Sequence, residues 1–152
     1  MPRLVRWYVK AAFVWLILAL ALKAIALFPA GASLPAITPV SWHLLFVGWL
    51  TQLIFGIAHW MLPTKPGATR KEKLRGSERL MWAVFITLNI GLALRAVAEP
   101  MQMTQPGPLW AWLLIASAWL QWLAGAGFVV NSWRRARPPV RRGKRGDAAS
   151  GR

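Results

Sequence analysis

The chain has no cysteine, one tyrosine, two histidines and four acidic residues in 152 positions. Without cysteine there is no disulfide, no iron–sulfur cluster, no thiol nucleophile and no covalent c-type haem attachment. Two histidines and four acids leave little from which to build a protein metal cage or a hydrolytic triad. What the chain has in excess is apolar and basic. Hydrophobic residues make up 57% and charged residues 15%, against roughly 45–50% and about 25% in soluble domains. Eleven residues are Trp, and the formal charge is +15. A basic chain this apolar is consistent only if the charges are segregated, as in a polytopic membrane protein.

The charges are segregated. Four apolar stretches run from about Ala11 to Phe28, Trp42 to Leu62, Leu80 to Ala98 and Leu109 to Val130. Each is close to the ~20 residues a helix needs to cross a ~30 Å hydrocarbon layer. Prolines frame the stretches at Pro29, Pro39, Pro63, Pro100 and Pro108 and are expected to end the helices there. The first run is too long for the core of a cleaved signal peptide. The predicted fold class is all-α: a bundle of four transmembrane helices over residues 1–133, followed by a basic tail, 134–152, without apolar periodicity and expected to be disordered.

Seventeen of the 19 Lys and Arg residues lie before the first span, between the second and third, or after the fourth. The other two connections, Pro29 to Ser41 and Glu99 to Pro108, hold none. The positive-inside rule then places both termini in the cytoplasm and the protein in the cell's inner (plasma) membrane as a multi-pass protein. The tail fits contact with anionic lipid headgroups. It contains no aromatic residue to stack on a base, so nucleic acid is not an expected partner. Trp7, Trp42, Trp60, Trp82, Trp110 and Trp133 fall near helix ends and read as interfacial anchors, whereas Trp119 is deeper and expected to pack or face lipid.

Ionisable groups inside spans are costly and mark candidate sites. Lys23, His43, Arg95 and Glu99 all fall towards the outer ends of their helices, at similar depth. Two alternatives stand beside a functional cluster: Lys23 snorkels outward, and Arg95 pairs with Glu99 one turn along its own helix. His59 lies sixteen residues after His43 on one helix, ~24 Å along the axis, so the two cannot bind one iron within the same chain. His59 is expected to be an interface residue. Gly48, Gln52, Phe55, Gly56 and His59 share one face, where small residues admit a second backbone or a flat ligand. Asn89, Gly91, Gln121, Gly125 and Gly127 are expected to serve helix packing.

The stretch His43 to Pro63, HLLFVGWLTQLIFGIAHWMLP, resembles helix two of the catalytic subunits of the haem–copper oxidase and nitric oxide reductase superfamily. It is more similar still to short four-helix membrane proteins related to that superfamily, which share the His-x4-Gly-Trp opening, the Phe-Gly element and the Met/Leu-Pro close. Leu88 to Pro100, LNIGLALRAVAEP, also looks like theirs. The resemblance covers about 34 residues. It implies that His43 is an axial ligand of a b-type haem (haem b) and hence the one metal-binding residue. Arg95, and Lys23 as a second cation, would face the haem propionates, with Gly48 on the approach of the ring. The sixth position would be taken by a Met, with Met101 and Met103 in the outer loop at a plausible height, by a water, by a second chain or by nothing. A full catalytic subunit needs further histidines that this chain lacks, so no binuclear metal site and no stand-alone oxidase or reductase activity is expected.

The leading expectation is therefore a small integral membrane haem protein for electron transfer, haem handling or gas sensing. The alternative is a non-haem accessory or structural subunit of a respiratory membrane complex. A transporter or channel would call for inverted repeats, and no convincing pair is present. Self-association is expected under either reading, because four helices enclose little interior.

Overall fold

The structure is a computed structural model, and it describes residues 1–32, 36–62, 77–133 and 135. Among these, the ordered elements are all helical. Helix α1 spans Arg3–Ile25, a single turn α2 spans Pro29–Ala32, and α3 (Ile37–His43) continues through a π-helical stretch (Leu44–Thr51) into α4 (Gln52–Met61). Helices α5 (Glu78–Thr104) and α6 (Pro108–Trp133) complete the chain. Taking Ile37–Met61 as one rod, four helices are long and apolar enough to cross a membrane. The protein is a multi-pass membrane protein.

The helices are longer than the apolar runs that announce them. Helix α1 begins at Arg3, not Ala11, because hydropathy stops at the first charge while the backbone has no reason to break hydrogen bonds there. The second span begins at Ile37 and carries Pro39 in its first turn, where a missing N–H costs nothing. Pro100 departs from expectation more strongly: it lies inside α5, which runs on to Thr104. Met101 and Met103 therefore sit on helix, not in a loop. The Thr104 hydroxyl donates to the Pro100 carbonyl (2.9 Å), supporting the turn after the proline. At the other end of α5, Ser77 caps the helix by accepting from the Leu80 N–H (3.2 Å), with Glu78 in the first turn.

Contact between α1 and the second rod is set by two glycines. A Cβ on Gly48 would come 2.7 Å from Trp15 Cβ and from Leu92 Cδ2, and one on Gly56 would come 2.7 Å from Tyr8 Cβ. Of the predicted face Gly48, Gln52, Phe55, Gly56 and His59, all but the half-buried Phe55 are buried, and its two glycines are a helix-packing seam. Polar groups lock the seam to α5: the Tyr8 hydroxyl donates to the Met81 carbonyl (2.9 Å) and the Trp15 indole N–H to Asn89 Oδ1 (2.7 Å). Helix α6 packs chiefly on α5, held by the Ser117 hydroxyl on the Gly91 carbonyl (2.7 Å) and by Gln121 Nε2 on Ser117 Oγ (3.0 Å). Phe55 and Phe128 stack at 4.0 Å between ring centres, which brings α6 to the α4 end of the second rod.

Gln52 is fully buried in the middle of that rod, and neither its Nε2 nor its Oε1 has a hydrogen-bond partner. An amide left unmatched in an apolar interior costs about 1–3 kcal/mol. Gln52→Leu, close in volume, is therefore expected to leave the protein as stable or more stable in a detergent thermal melt. A clear drop in melting temperature would show that the amide is engaged.

Candidate functional site

Two polar constellations stand out, one at each end of the bundle. The first lies at the end away from the chain termini and is built by α3 and α5. His43 is the last residue of α3, directly before the π-helical stretch, a deviation that recurs at functional sites. Its Nδ1 lies 2.9 Å from the Pro39 carbonyl, one turn back. A carbonyl can only accept, so this contact fixes the proton on Nδ1 and leaves Nε2 as the basic nitrogen. Glu99 approaches the same Nδ1 at 3.7 Å through Oε2, and that oxygen lies 3.4 Å from Arg95 Nε.

The three side chains grade from inside to outside: Glu99 is 11% exposed, Arg95 24% and His43 32%. Arg95 and Glu99 meet one turn apart on α5, as the pairing alternative expects. The contact is loose, however. Arg95 Nε and Glu99 Oε2 are both buried and neither makes a hydrogen bond, so this is charge proximity and not the fork in which a guanidinium grips a carboxylate. Lys23 stays apart from the three. Its Nζ rests 4.1 Å from the centre of the Trp42 ring, a cation–π contact beside His43 in sequence. The four ionisable groups predicted to share a depth thus divide into a triad and one cation held on an aromatic face.

Gly48 does not join the site. Trp15 and Leu92 fill the space over it, so no flat ligand reaches the rod there. A separate apolar cleft of about 420 Å³ opens between α1, α3 and α5, walled by residues such as Trp15, Leu22, Val40, Leu44 and Ala96. Val40 and Leu44 flank His43 in sequence, and Ala96 and Pro100 in the same wall follow Arg95 and Glu99. Among the described residues no group of three or more His, Cys, Asp or Glu could hold a metal ion.

The second constellation lies at the end where α1 begins and α6 ends, and the sequence did not reveal it. His59, near the end of its rod, is 4% exposed, and Arg135, two residues beyond α6, is 2% exposed. Arg135 Nη2 donates to the carbonyls of His59 (3.0 Å) and Leu62 (2.6 Å), and Nη1 lies 3.4 Å from His59 Nδ1. The guanidinium thus closes the C-terminus of α4, where carbonyls have no helical partner and the helix dipole favours a cation. The expected disordered tail otherwise falls outside the described residues, as does the basic connection at 63–76. Arg135→Met should lower stability by about 1–3 kcal/mol, the usual cost of stranding acceptors of a charged donor. A thermal melt checks this, with Arg3→Met, an exposed arginine at the same end, as the control.

The residues present bear in two directions on a b-type haem. For it stand a histidine with Nδ1 engaged by a carbonyl and Nε2 basic, the usual way a protein orients an imidazole for a metal, and a guanidinium not locked by its acid. Against it stands the filled space at Gly48. The arrangement therefore offers one histidine nitrogen and one loosely held guanidinium at this end, and no access over Gly48. Comparison of the chain with protein-family models, curated proteins and solved structures finds no match.

Proposed function

We propose that the chain is a small integral membrane b-type haem protein, with His43 as the axial ligand and Arg95 facing a propionate. The observation that carries this reading is the 2.9 Å contact between His43 Nδ1 and the Pro39 carbonyl. It holds the ring in one tautomer and one orientation without using Nε2. A bound haem would supply one-electron chemistry or a seat for a diatomic gas. The chain's part is to orient the imidazole, to place a cation at the same depth, and to keep water away with the apolar ends of α1 and α3. Lys23 belongs to this surface as a second cation, held ready on Trp42. The absence of further histidines supports transfer, haem handling or sensing over oxygen chemistry.

The distribution of basic residues supports cytoplasmic termini in the plasma membrane, which puts the His43 triad in the outer leaflet. A reporter enzyme inserted at Gly107 should read external and one fused at the C-terminus cytoplasmic; the reverse pattern excludes this orientation. The haem is tested by a dithionite-reduced minus oxidised spectrum of detergent-purified protein from haem-supplemented cells. A b-type Soret and α band are expected, and a featureless spectrum eliminates the cofactor.

A second reading is favoured by the Arg95–Glu99 contact itself. If the triad only closes α5 against α3, the chain is a non-haem accessory subunit of a respiratory membrane complex. That reading predicts no Soret band and co-purification with a larger complex.

A further inference from the structure

Helix α6 leaves most of its surface uncovered: only Ser117, Ala124, Asn131 and Ser132 are buried. The uncovered side is not a generic lipid-facing mix of Leu, Ile and Val. Trp112, Ile115, Trp119, Trp122, Val129 and Trp133 are all exposed, and their spacing alternates three and four residues along the whole helix, with Ala126 completing the row. This is the a/d repeat of a left-handed helix pair. Phase explains part of it, since the opposite face follows α5. It does not explain the choice of Trp.

Tryptophan is favoured at the membrane–water interface, where its N–H is wet. Trp119 lies eleven residues from Pro108 and fourteen from Trp133, so it sits ~17 Å from one helix end and ~21 Å from the other. Trp122 is one turn further on. Both lie near the middle of a helix long and apolar enough to cross a membrane, a level at which an indole facing acyl chains gains nothing from the interface and strands a donor in hydrocarbon. The two rings meet edge to face, 5.7 Å between centres and 79° between planes. Beside them is a hollow of about 610 Å³ walled by Ile115, Ala118, Trp119 and Trp122. These four residues lie at i, i+3, i+4 and i+7, the set that frames a hole for a side chain of a facing helix.

We infer that this Trp row is the interface of a parallel homodimer in the membrane, α6 against α6 of a second copy. Insertion orients every copy alike, so the row meets its own copy parallel and in register about an axis along the membrane normal. That is the self-complementary contact a two-fold dimer requires. A different partner would have to supply a matching row; a second copy supplies it automatically. The area is sufficient. Trp112, Trp119, Trp122 and Trp133 are each between 61% and 69% exposed. At the usual burial of an aromatic side chain this comes to ~100–150 Å² each. With Ile115 and Val129, the pair of copies would bury ~1,000 Å² or more, the lower bound of a specific interface. The dimer is independent of the haem reading, because no residue of the His43 triad lies on the row.

The chain has no cysteine, so each single Cys substitution reports one position. A Cys scan of residues 112–133 is made in the full-length protein in native membranes, and copper-phenanthroline oxidation is followed by mass. Dimer bands are expected to peak at I115C, W119C, W122C and A126C and to vanish at L113C and L120C, the latter beside Gly91 of α5. A flat profile means the row faces lipid and overturns the proposal. So does a peak series in adducts of another mass, which would assign the row to a different helix. As a second measurement, Förster transfer between labelled copies in liposomes should show the W119A/W122A pair weakening association roughly tenfold or more. Helical circular dichroism should be unchanged, because Trp119 and Trp122 are 61% and 62% exposed. Unchanged transfer in that variant also overturns it.

Discussion

Gly48→Leu and Gly56→Leu are each expected to prevent the bundle from assembling, while Gly125→Ala is tolerated or mildly stabilising. At Gly48 even a methyl group would meet Trp15 Cβ and Leu92 Cδ2 at 2.7 Å, and at Gly56 it would meet Tyr8 Cβ at 2.7 Å. A Cβ atom is fixed to its backbone and cannot swing away, so α1 must move as a whole. Moving it breaks the Trp15–Asn89 and Tyr8–Met81 hydrogen bonds that tie α1 to α5. Overpacking usually costs about 1–3 kcal/mol; here it would add to two lost hydrogen bonds of about 1 kcal/mol each. Gly125 has nothing within 4 Å of a Cβ, so alanine there contributes its helix preference, about 1 kcal/mol. Size-exclusion profiles and thermal melts of the three variants in one detergent separate these outcomes. Wild-type behaviour of Gly56→Leu would mean that α1 does not pack where the structure puts it.

These contrasts show what a sequence of this kind exposes. Hydropathy makes the four spans legible because lipid imposes the same rule on every residue of a span. The face carrying Gly48, Gln52 and Gly56 was legible because small residues recur at helical spacing. The helix ends were less so. Pro100 reads as a stop, yet α5 continues past it, since a membrane helix can lose one backbone bond when Thr104 rebuilds the turn. The meeting of His43 with Glu99 follows from equal depth on antiparallel helices and could be expected. That of Arg135 with His59 and Leu62 could not, because it joins positions more than seventy residues apart by a turn whose direction no periodicity encodes. One signal was available: a basic residue just beyond the last span, at the level where the second span exposes its carbonyls.

If the chain carries the proposed haem, His43→Ala is expected to abolish its Soret band and His59→Ala to keep it while lowering the melting temperature. The two histidines separate cleanly because they serve opposite ends of one rod. His43 keeps Nε2 basic through its Nδ1 contact with Pro39, whereas His59 is buried against Arg135. Arg95→Leu should retain the ligand but release the haem during purification, because a propionate would lose its counter-charge where water is scarce. Arg95 is 24% exposed, so solvent softens the loss and partial retention is the expected symptom. Glu99→Gln is the discriminating variant. Glu99 Oε2 lies 3.4 Å from Arg95 Nε and 3.7 Å from His43 Nδ1, so it would compete with a bound propionate for the guanidinium. Neutralising it should tighten haem retention under a haem reading, in opposition to Arg95→Leu. If the triad is only an ion pair joining α5 to α3, Arg95→Leu and Glu99→Gln should damage stability alike, and no variant should carry a Soret band. Haem occupancy by pyridine haemochrome, measured beside the melting temperature for all four variants, decides between them: opposite signs for Arg95 and Glu99 support the cofactor, and equal signs without absorbance remove it.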